Sequence, residues 1–212
     1  MIQVFIADDH AIFRHGLRKL LESQPNLKVV GEAGDGQQVL DAAEKAKWDL
    51  LVLDLSLPTV SGMEVMRRLK ERFPALRIVI LSMYPEDQYA VRLMSQGASA
   101  YVSKDRDPTE VVAAVQKVAR GGTYLNPDVA TQALNRPVEQ GRAPHEMLSP
   151  REYQVFTLIF QGKTVSAIAI ELNLSLSTIS NHLRQVKDKL GAETVADIVS
   201  YAHRAGLVGG AR

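Results

Sequence analysis

Cysteine is missing from all 212 residues, which excludes disulfides, cysteine-ligated zinc fingers and thiol catalysis. Long apolar runs are missing too. No stretch approaches the roughly 18 uncharged apolar residues that a membrane-spanning helix needs. Neither sign of charge is in excess: 25 Lys and Arg face 24 Asp and Glu, a formal charge of +1. A histone-like polycation is thereby excluded, and any anion-binding surface must be local. The opening MIQVFIADDH lacks the basic flank and the length of a signal peptide. What is present fits a globular protein, with 46% hydrophobic and 23% charged residues. The length allows one large domain or two modest ones at roughly 100–200 residues each. The expectation is a soluble, cytoplasmic chain of two domains.

Up to about residue 125 two patterns alternate. Short apolar, β-branched runs recur at Ile2–Ala7, Leu27–Ala33, Leu50–Leu53, Ile78–Leu81 and Ser99–Val102. Segments of helical spacing separate them, such as Phe13, Leu17, Leu20 and Leu21, or Val111, Val112, Val115 and Val118. Runs that are apolar at every position suit strands buried on both faces, the habit of parallel sheets between helix layers. Five strands, each followed by a helix, predict a doubly wound α/β domain over 1–122 with the flavodoxin-like topology.

Residues 123–147 read as a linker, marked by Pro127, Pro137, Gly141 and Pro144, with a short helix around Asp128 to Leu134. From Ser149 onward only helical stretches follow, four of them within 148–208, before a tail at 209–212. Ser149-Pro150-Arg151-Glu152 is a helix start with a hydroxyl cap, proline at the first helical position and Glu three residues after the cap. Thr164 and Ser175 serve as caps for the next two helices, and Thr194 with Asp197 opens the last. Charge does not separate the halves, since 16 basic and 16 acidic residues in 1–125 leave 9 and 8 behind.

In an open parallel sheet, ligands collect outside the carboxyl ends of the strands. Strand one ends in Asp8-Asp9, strand three in Asp54, strand four in Ser82 and strand five in Ser103-Lys104. Three carboxylates crowded at one edge resist ionisation unless a positive charge intervenes. Magnesium, a hard cation that favours oxygen ligands, would supply it. A carboxylate beside magnesium and a lysine is equipped to attack a phosphoryl group and become an acyl phosphate.

These residues resemble the response-regulator receiver domain of two-component signalling. The likeness spans 1–122 and includes Asp8-Asp9, LVLDLSLPTVSG around Asp54, Ser82, and AYVSK with Tyr101 and Lys104. It implies that Asp54 accepts phosphate from a histidine kinase. It also implies that Asp9 and Asp54 bind Mg2+ directly with the Ser56 carbonyl, while Asp8 helps through water. Lys104 would pair with a phosphoryl oxygen, Ser82 would move toward the phosphate, and Tyr101 would swing inward to fill the vacated space. Two positions depart from many receivers. Asp105 stands where proline often follows the lysine, so a trans bond is expected there. Met83 follows Ser82 where a smaller residue is common, and is expected to restrict water and slow hydrolysis of the acyl phosphate.

The segment 166–190 reads as helix, tight turn, helix. On its second helix Ile179, Leu183, Val186 and Leu190 share a narrow arc, and Ser177, Ser180, Asn181, Arg184, Lys187 and Asp188 share another. Amide and guanidinium groups for base edges, with hydroxyls and Lys for phosphates, are what a recognition helix needs in a major groove. LSPREYQVFTLIFQGK and IAIELNLSLSTISNHLRQVKDKLGA together resemble the LuxR-type four-helix DNA-binding domain of the NarL/FixJ class over 148–208. That likeness implies base contacts from Ser180, Asn181 and Arg184 and phosphate contacts from Thr178, Lys187 and Lys163. Many relatives carry Lys where Ser180 stands, which implies modest monomer affinity and a greater need for dimers. Two roles for His182 stay open, structural or phosphate contact, and a metal site there is rejected for want of a second His or a Cys. The helix from Thr194 to Arg204 resembles the dimerising helix of the class, and plain packing on its own domain explains it equally well.

The resulting expectation is a non-enzymatic, phosphorylation-controlled transcription factor, with a sensor kinase, double-stranded DNA and a second copy as partners, and no membrane. Two rivals stay in play. A magnesium phosphatase would need the nucleophilic aspartate at the end of strand one and a substrate pocket built from insertions. A flavin binder would need a hydroxyl- and glycine-rich loop where DDHAIFRHG follows strand one.

Overall fold

The computed structural model describes residues 1–84, 86–135, 143–172, 174–205 and 207. It divides into two compact units, Met1–Val138 and Glu139–Arg212. Pro137 and Gly141 of the expected linker, and the tail 209–212, lie outside the described residues.

The first unit alternates strand and helix: β1 (Ile2–Ala7), α1 (Ala11–Glu22), β2 (Leu27–Ala33), α2 (Gly36–Lys45), β3 (Leu50–Leu53), α3 (Gly62–Arg72), β4 (Arg77–Ser82), α4 (Glu86–Ser95), β5 (Ala100–Ser103) and α5 (Pro108–Ala119). The sheet is parallel in the order β2-β1-β3-β4-β5, the doubly wound fold that the apolar runs predict. β4 is one residue longer at each end than expected and β5 starts one residue later. Every residue of β3 is buried, because helices cover both faces. On one face Val4, Ile6, Val52, Val79, Leu81 and Val102 pack with Leu17 and Leu21 of α1 and with Val111, Val115 and Val118 of α5. Each such aliphatic side chain stabilises the fold by about 1.5–3 kcal/mol on burial.

Past α5 the chain returns to the open edge of β5. Tyr124 N donates to Ser99 O at 3.0 Å, and Tyr101 N donates to Tyr124 O at 3.3 Å. Buried Asn126 then accepts from Asp128 N at 2.9 Å and opens α6 (Pro127–Asn135), which packs against α4. The short helix read around Asp128 to Leu134 is this element.

The second unit holds a 3-10 turn (Pro144–Met147), α7 (Pro150–Phe160), α8 (Val165–Glu171), α9 (Leu176–Leu190) and α10 (Val195–Arg204). All four helix starts follow the capping chemistry expected of them. Ser149, Thr164, Ser175 and Thr194 each accept a backbone N–H from the residue three places on. Ser149 with Glu152 and Thr194 with Asp197 form full capping boxes. Gly191, at φ 64°, ends α9 in the left-handed conformation that costs glycine no steric strain. Phe156, Ile168, Ile179, Val186 and Ile198 are fully buried and tie the helices together.

Candidate functional site

The loop from Asp54 to Gly62 is held tightly. A Cβ on Gly62 would lie 2.1 Å from the Asp54 carbonyl oxygen, and one on Gly36 would lie 1.9 Å from the Val60 carbonyl oxygen. Only glycine allows α3 and α2 to start this close to the loop. Thr59, inside the loop, has φ 63°, a strained conformation for a β-branched residue.

This loop sets Asp54 beside the end of β1. Asp8 and Asp54 are each 2% exposed. Lys104 Nζ lies 2.6 Å from Asp8 Oδ2 and 2.6 Å from Asp54 Oδ2, and it sits 4.9 Å from the centre of the Phe13 ring. Burial alone would lower the Lys104 pKa, but the Asp54 and Asp8 carboxylates outweigh it and raise the value above that of an ordinary lysine. Asp54 Oδ1 accepts from Ser56 N at 2.9 Å. Asp9 is more open, and its Oδ1 lies 2.7 Å from His10 Nδ1. Ligand atoms of Asp8, Asp9, His10 and Asp54 all lie within 4.8 Å of one another. Such a set of oxygens at one strand edge fits a divalent cation with oxygen preference.

Ser82 is fully buried at the end of β4, and Lys104 N donates to its carbonyl at 2.9 Å. Tyr101 is also fully buried, with Oη donating to Tyr84 O at 3.0 Å. Burial pushes its phenol pKa well above the ordinary value. In this structure the Tyr101 ring lies inside the fold, where the Tyr84 carbonyl offers its hydroxyl a buried acceptor. No described peptide bond is cis, so Lys104–Asp105 is trans as expected. Met83 is 57% exposed.

Three participants escaped the sequence reading. His10 follows Asp8-Asp9 directly, a signal that adjacency offered. Arg14 donates to the Asp8 carbonyl and ion-pairs with Glu32 at 3.0 Å. Tyr84 shares a hydrogen bond of 3.0 Å with the Ser56 hydroxyl, and nothing in the sequence pointed to it.

In the second unit, Ser180, Asn181 and Arg184 are exposed on α9, and Arg184 donates to Asn181 Oδ1 at 3.3 Å. The remaining candidates are engaged within the chain. The Thr178 hydroxyl lies 2.7 Å from Ser175 Oγ, and Lys187 Nζ donates to Glu193 O at 3.0 Å. Lys163 ion-pairs with Glu171. His182 is half-buried, and burial lowers its pKa. Glu152 is buried, caps α7 through Ser149 N and pairs with Lys189 at 2.6 Å.

Residues 4–116 match the family described as the response regulator receiver domain, and residues 146–202 match the bacterial regulatory proteins of the luxR family. The chain is 32% identical over 209 residues to the response regulator UvrY of Escherichia coli (strain K12), covering 98% of this chain and 96% of that protein. It is also 32% identical to the oxygen regulatory protein NreC of Staphylococcus carnosus, covering 95% of this chain and 96% of that protein. Among solved structures it is similar to RcsB from Salmonella enterica serovar Typhimurium bound to promoter rprA in the presence of phosphomimetic BeF3-. That likeness has a TM-score of 0.64 at 29% identity and covers 96% of this chain and 99% of that one.

Proposed function

This chain belongs to the two-component response regulators of the NarL/FixJ class with a LuxR-type DNA-binding domain, and we propose that it takes a phosphoryl group on Asp54 from a histidine kinase and thereby controls its dimerisation and sequence-specific DNA binding. In this reading 1–122 is the phosphoacceptor domain, 123–147 the linker and 148–208 the DNA-binding domain. The observation that carries it is the buried Lys104 ammonium held between Asp8 and Asp54 at the carboxyl edge of a parallel sheet.

Asp9, Asp54 and the Ser56 carbonyl would hold Mg2+, with Asp8 assisting through water. When bound, the ion supplies positive charge that offsets the oxygens of the transferred group. An Asp54 oxygen attacks phosphorus, a P–O bond forms, and the P–N bond to the kinase imidazole breaks. Lys104 turns from the carboxylate to a phosphoryl oxygen, an exchange of one charge-assisted partner for another. The Ser82 hydroxyl is a further donor at the same edge. Phosphorylation can shift the balance between receiver states only by stabilising one more than the other. Tyr101 offers one route outward, since its backbone N–H binds Tyr124 O, at the start of the segment leading to α6. Arg184, Asn181 and Ser180 on α9 would then read base edges from paired half-sites.

The test is the intact mass of the full chain after incubation with a small-molecule phosphoryl donor and Mg2+. The parent gains one phosphoryl group and Asp54→Asn gains none. Equal labelling of Asp54→Asn refutes Asp54 as acceptor, and an unlabelled parent refutes the phosphoryl reading as a whole.

A further inference from the structure

We propose that the His10 imidazole is a further ligand of the cation pocket, so that the pocket prefers a borderline transition cation such as Mn2+ or Co2+ over Mg2+. The proposal rests on the reading of Asp8, Asp9 and Asp54 as a cation site and adds a nitrogen donor to it.

The geometry is specific. His10 Nδ1 lies 2.7 Å from Asp9 Oδ1 and 3.4 Å from Asp8 Oδ1, within the 4.8 Å that encloses the ligand atoms of all three carboxylates. The ring is not committed to the helix that it precedes. His10 is the N-cap of α1, but its side chain makes no capping hydrogen bond, and its backbone N–H donates to Asp8 Oδ1 at 2.8 Å. The side chain is 67% exposed, and ligation through Nδ1 would exchange its 2.7 Å contact with Asp9 for one with the ion. The Arg14 guanidinium is held by the Asp8 carbonyl and Glu32, not by the carboxylates of the pocket.

The donor set then decides between cations. Mg2+ takes oxygen ligands, keeps several waters and gains little from an imidazole. Divalent first-row transition ions bind nitrogen readily, with affinity rising from Mn2+ through Co2+ in mixed N/O sites. One imidazole beside three carboxylates therefore adds little for Mg2+ and much for Co2+.

The experiment titrates the full chain at about pH 7.5 with Co2+ alone, with Mg2+ alone, and with Co2+ against excess Mg2+, following the visible Co2+ absorption and thermal melting. The parent should bind Co2+ more tightly than Mg2+, and excess Mg2+ should reverse the Co2+ spectrum, tying the signal to this pocket. His10→Asn should shift the absorption bands and weaken Co2+ by roughly tenfold or more, a scale reached even when an outer partner of a ligand is lost. Mg2+ affinity should stay within about twofold, as befits an ion that gains little from nitrogen. His10→Gln, read in the same way, guards against an effect peculiar to asparagine. Unchanged Co2+ spectra and affinity in both variants, with Mg2+ still bound, overturn the His10 assignment alone. Failure of the parent to bind either ion overturns the pocket reading and the assignment with it.

Discussion

Lys104 Nζ lies 2.6 Å from Asp54 Oδ2 across a separation of 50 residues in the chain, and it lies equally close to Asp8 Oδ2. One ammonium thus balances two carboxylates that are each almost fully buried. It stands where charge compensation is most needed.

Replacing Lys104 by Met should destabilise the first unit by about 3–5 kcal/mol, the usual cost of removing one partner from a buried ion pair. Added Mg2+ should recover part of the loss by supplying the missing charge. The folded-state pKa of Lys104 is raised, so its contribution is fully present below the unfolded pKa and is lost only as pH rises through the higher folded value. The gap between parent and variant should therefore stay constant from about pH 6 to pH 9. Urea denaturation with and without Mg2+ measures each part.

Met83 is more than half exposed and directly follows fully buried Ser82. If Asp54 carries the proposed phosphoryl group, a methionine at that position would restrict water at the acyl phosphate. Met83→Ala should shorten the half-life of the phosphorylated form severalfold, followed by loss of the phosphoryl mass over time. An unchanged half-life removes Met83 from the hydrolytic step.

Arg184→Ala should weaken specific DNA binding by about 1–3 kcal/mol and relax the preference at one base position. Asn181, which accepts from Arg184 at 3.3 Å, loses its orienting partner in the same variant, so Asn181→Ala should be non-additive with it. Binding measured on a panel of single-base operator variants checks both. A uniform loss on every sequence would make Arg184 a phosphate contact.

Glu64, in the first turn of α3, has its pKa lowered from 4.5 to about 2 by hydrogen bonds from Arg67 and then Arg68. A depressed carboxylate stabilises the fold above its unfolded pKa and loses that contribution as pH falls through the folded value. Glu64→Gln should thus cost stability at neutral pH, and the gap from the parent should close between 4.5 and about 2. The contribution is modest because the side chain is 33% exposed and solvent screens the pair. Denaturant midpoints at about pH 6 and about pH 3 test the sign.

Much of the architecture was legible because its causes are local. β3, Leu50 to Leu53, is apolar at all four positions and buried at all four. The four hydroxyl caps of the second unit act on N–H groups three residues away, a distance that a reader of the chain can count. The polar strand ends Asp8, Asp54 and Lys104 were legible for the same reason, since each interrupts an apolar run. Other features were not. The ion pair of Lys163 with Glu171 was not legible, because only the turn after α7 brings these two side chains together. Tyr84 attracted no notice in a run of mixed residues, but its hydroxyl meets Ser56 and its carbonyl receives Tyr101.

By itself the chain's order of residues determined which segments become strands or helices, where they start, and which polar groups end the strands. Periodicity and capping act over a few positions, so no knowledge of distant neighbours is required. Folding in three dimensions decided the rest: that Lys104 lies between Asp8 and Asp54, that the Tyr101 hydroxyl meets the Tyr84 carbonyl, and that His10 lies against the carboxylates. Those relations depend on strand order and on loops such as the one ending at Gly62, where an added Cβ would collide with the Asp54 carbonyl. Contacts between groups tens of residues apart exist only once the sheet has set its strands side by side.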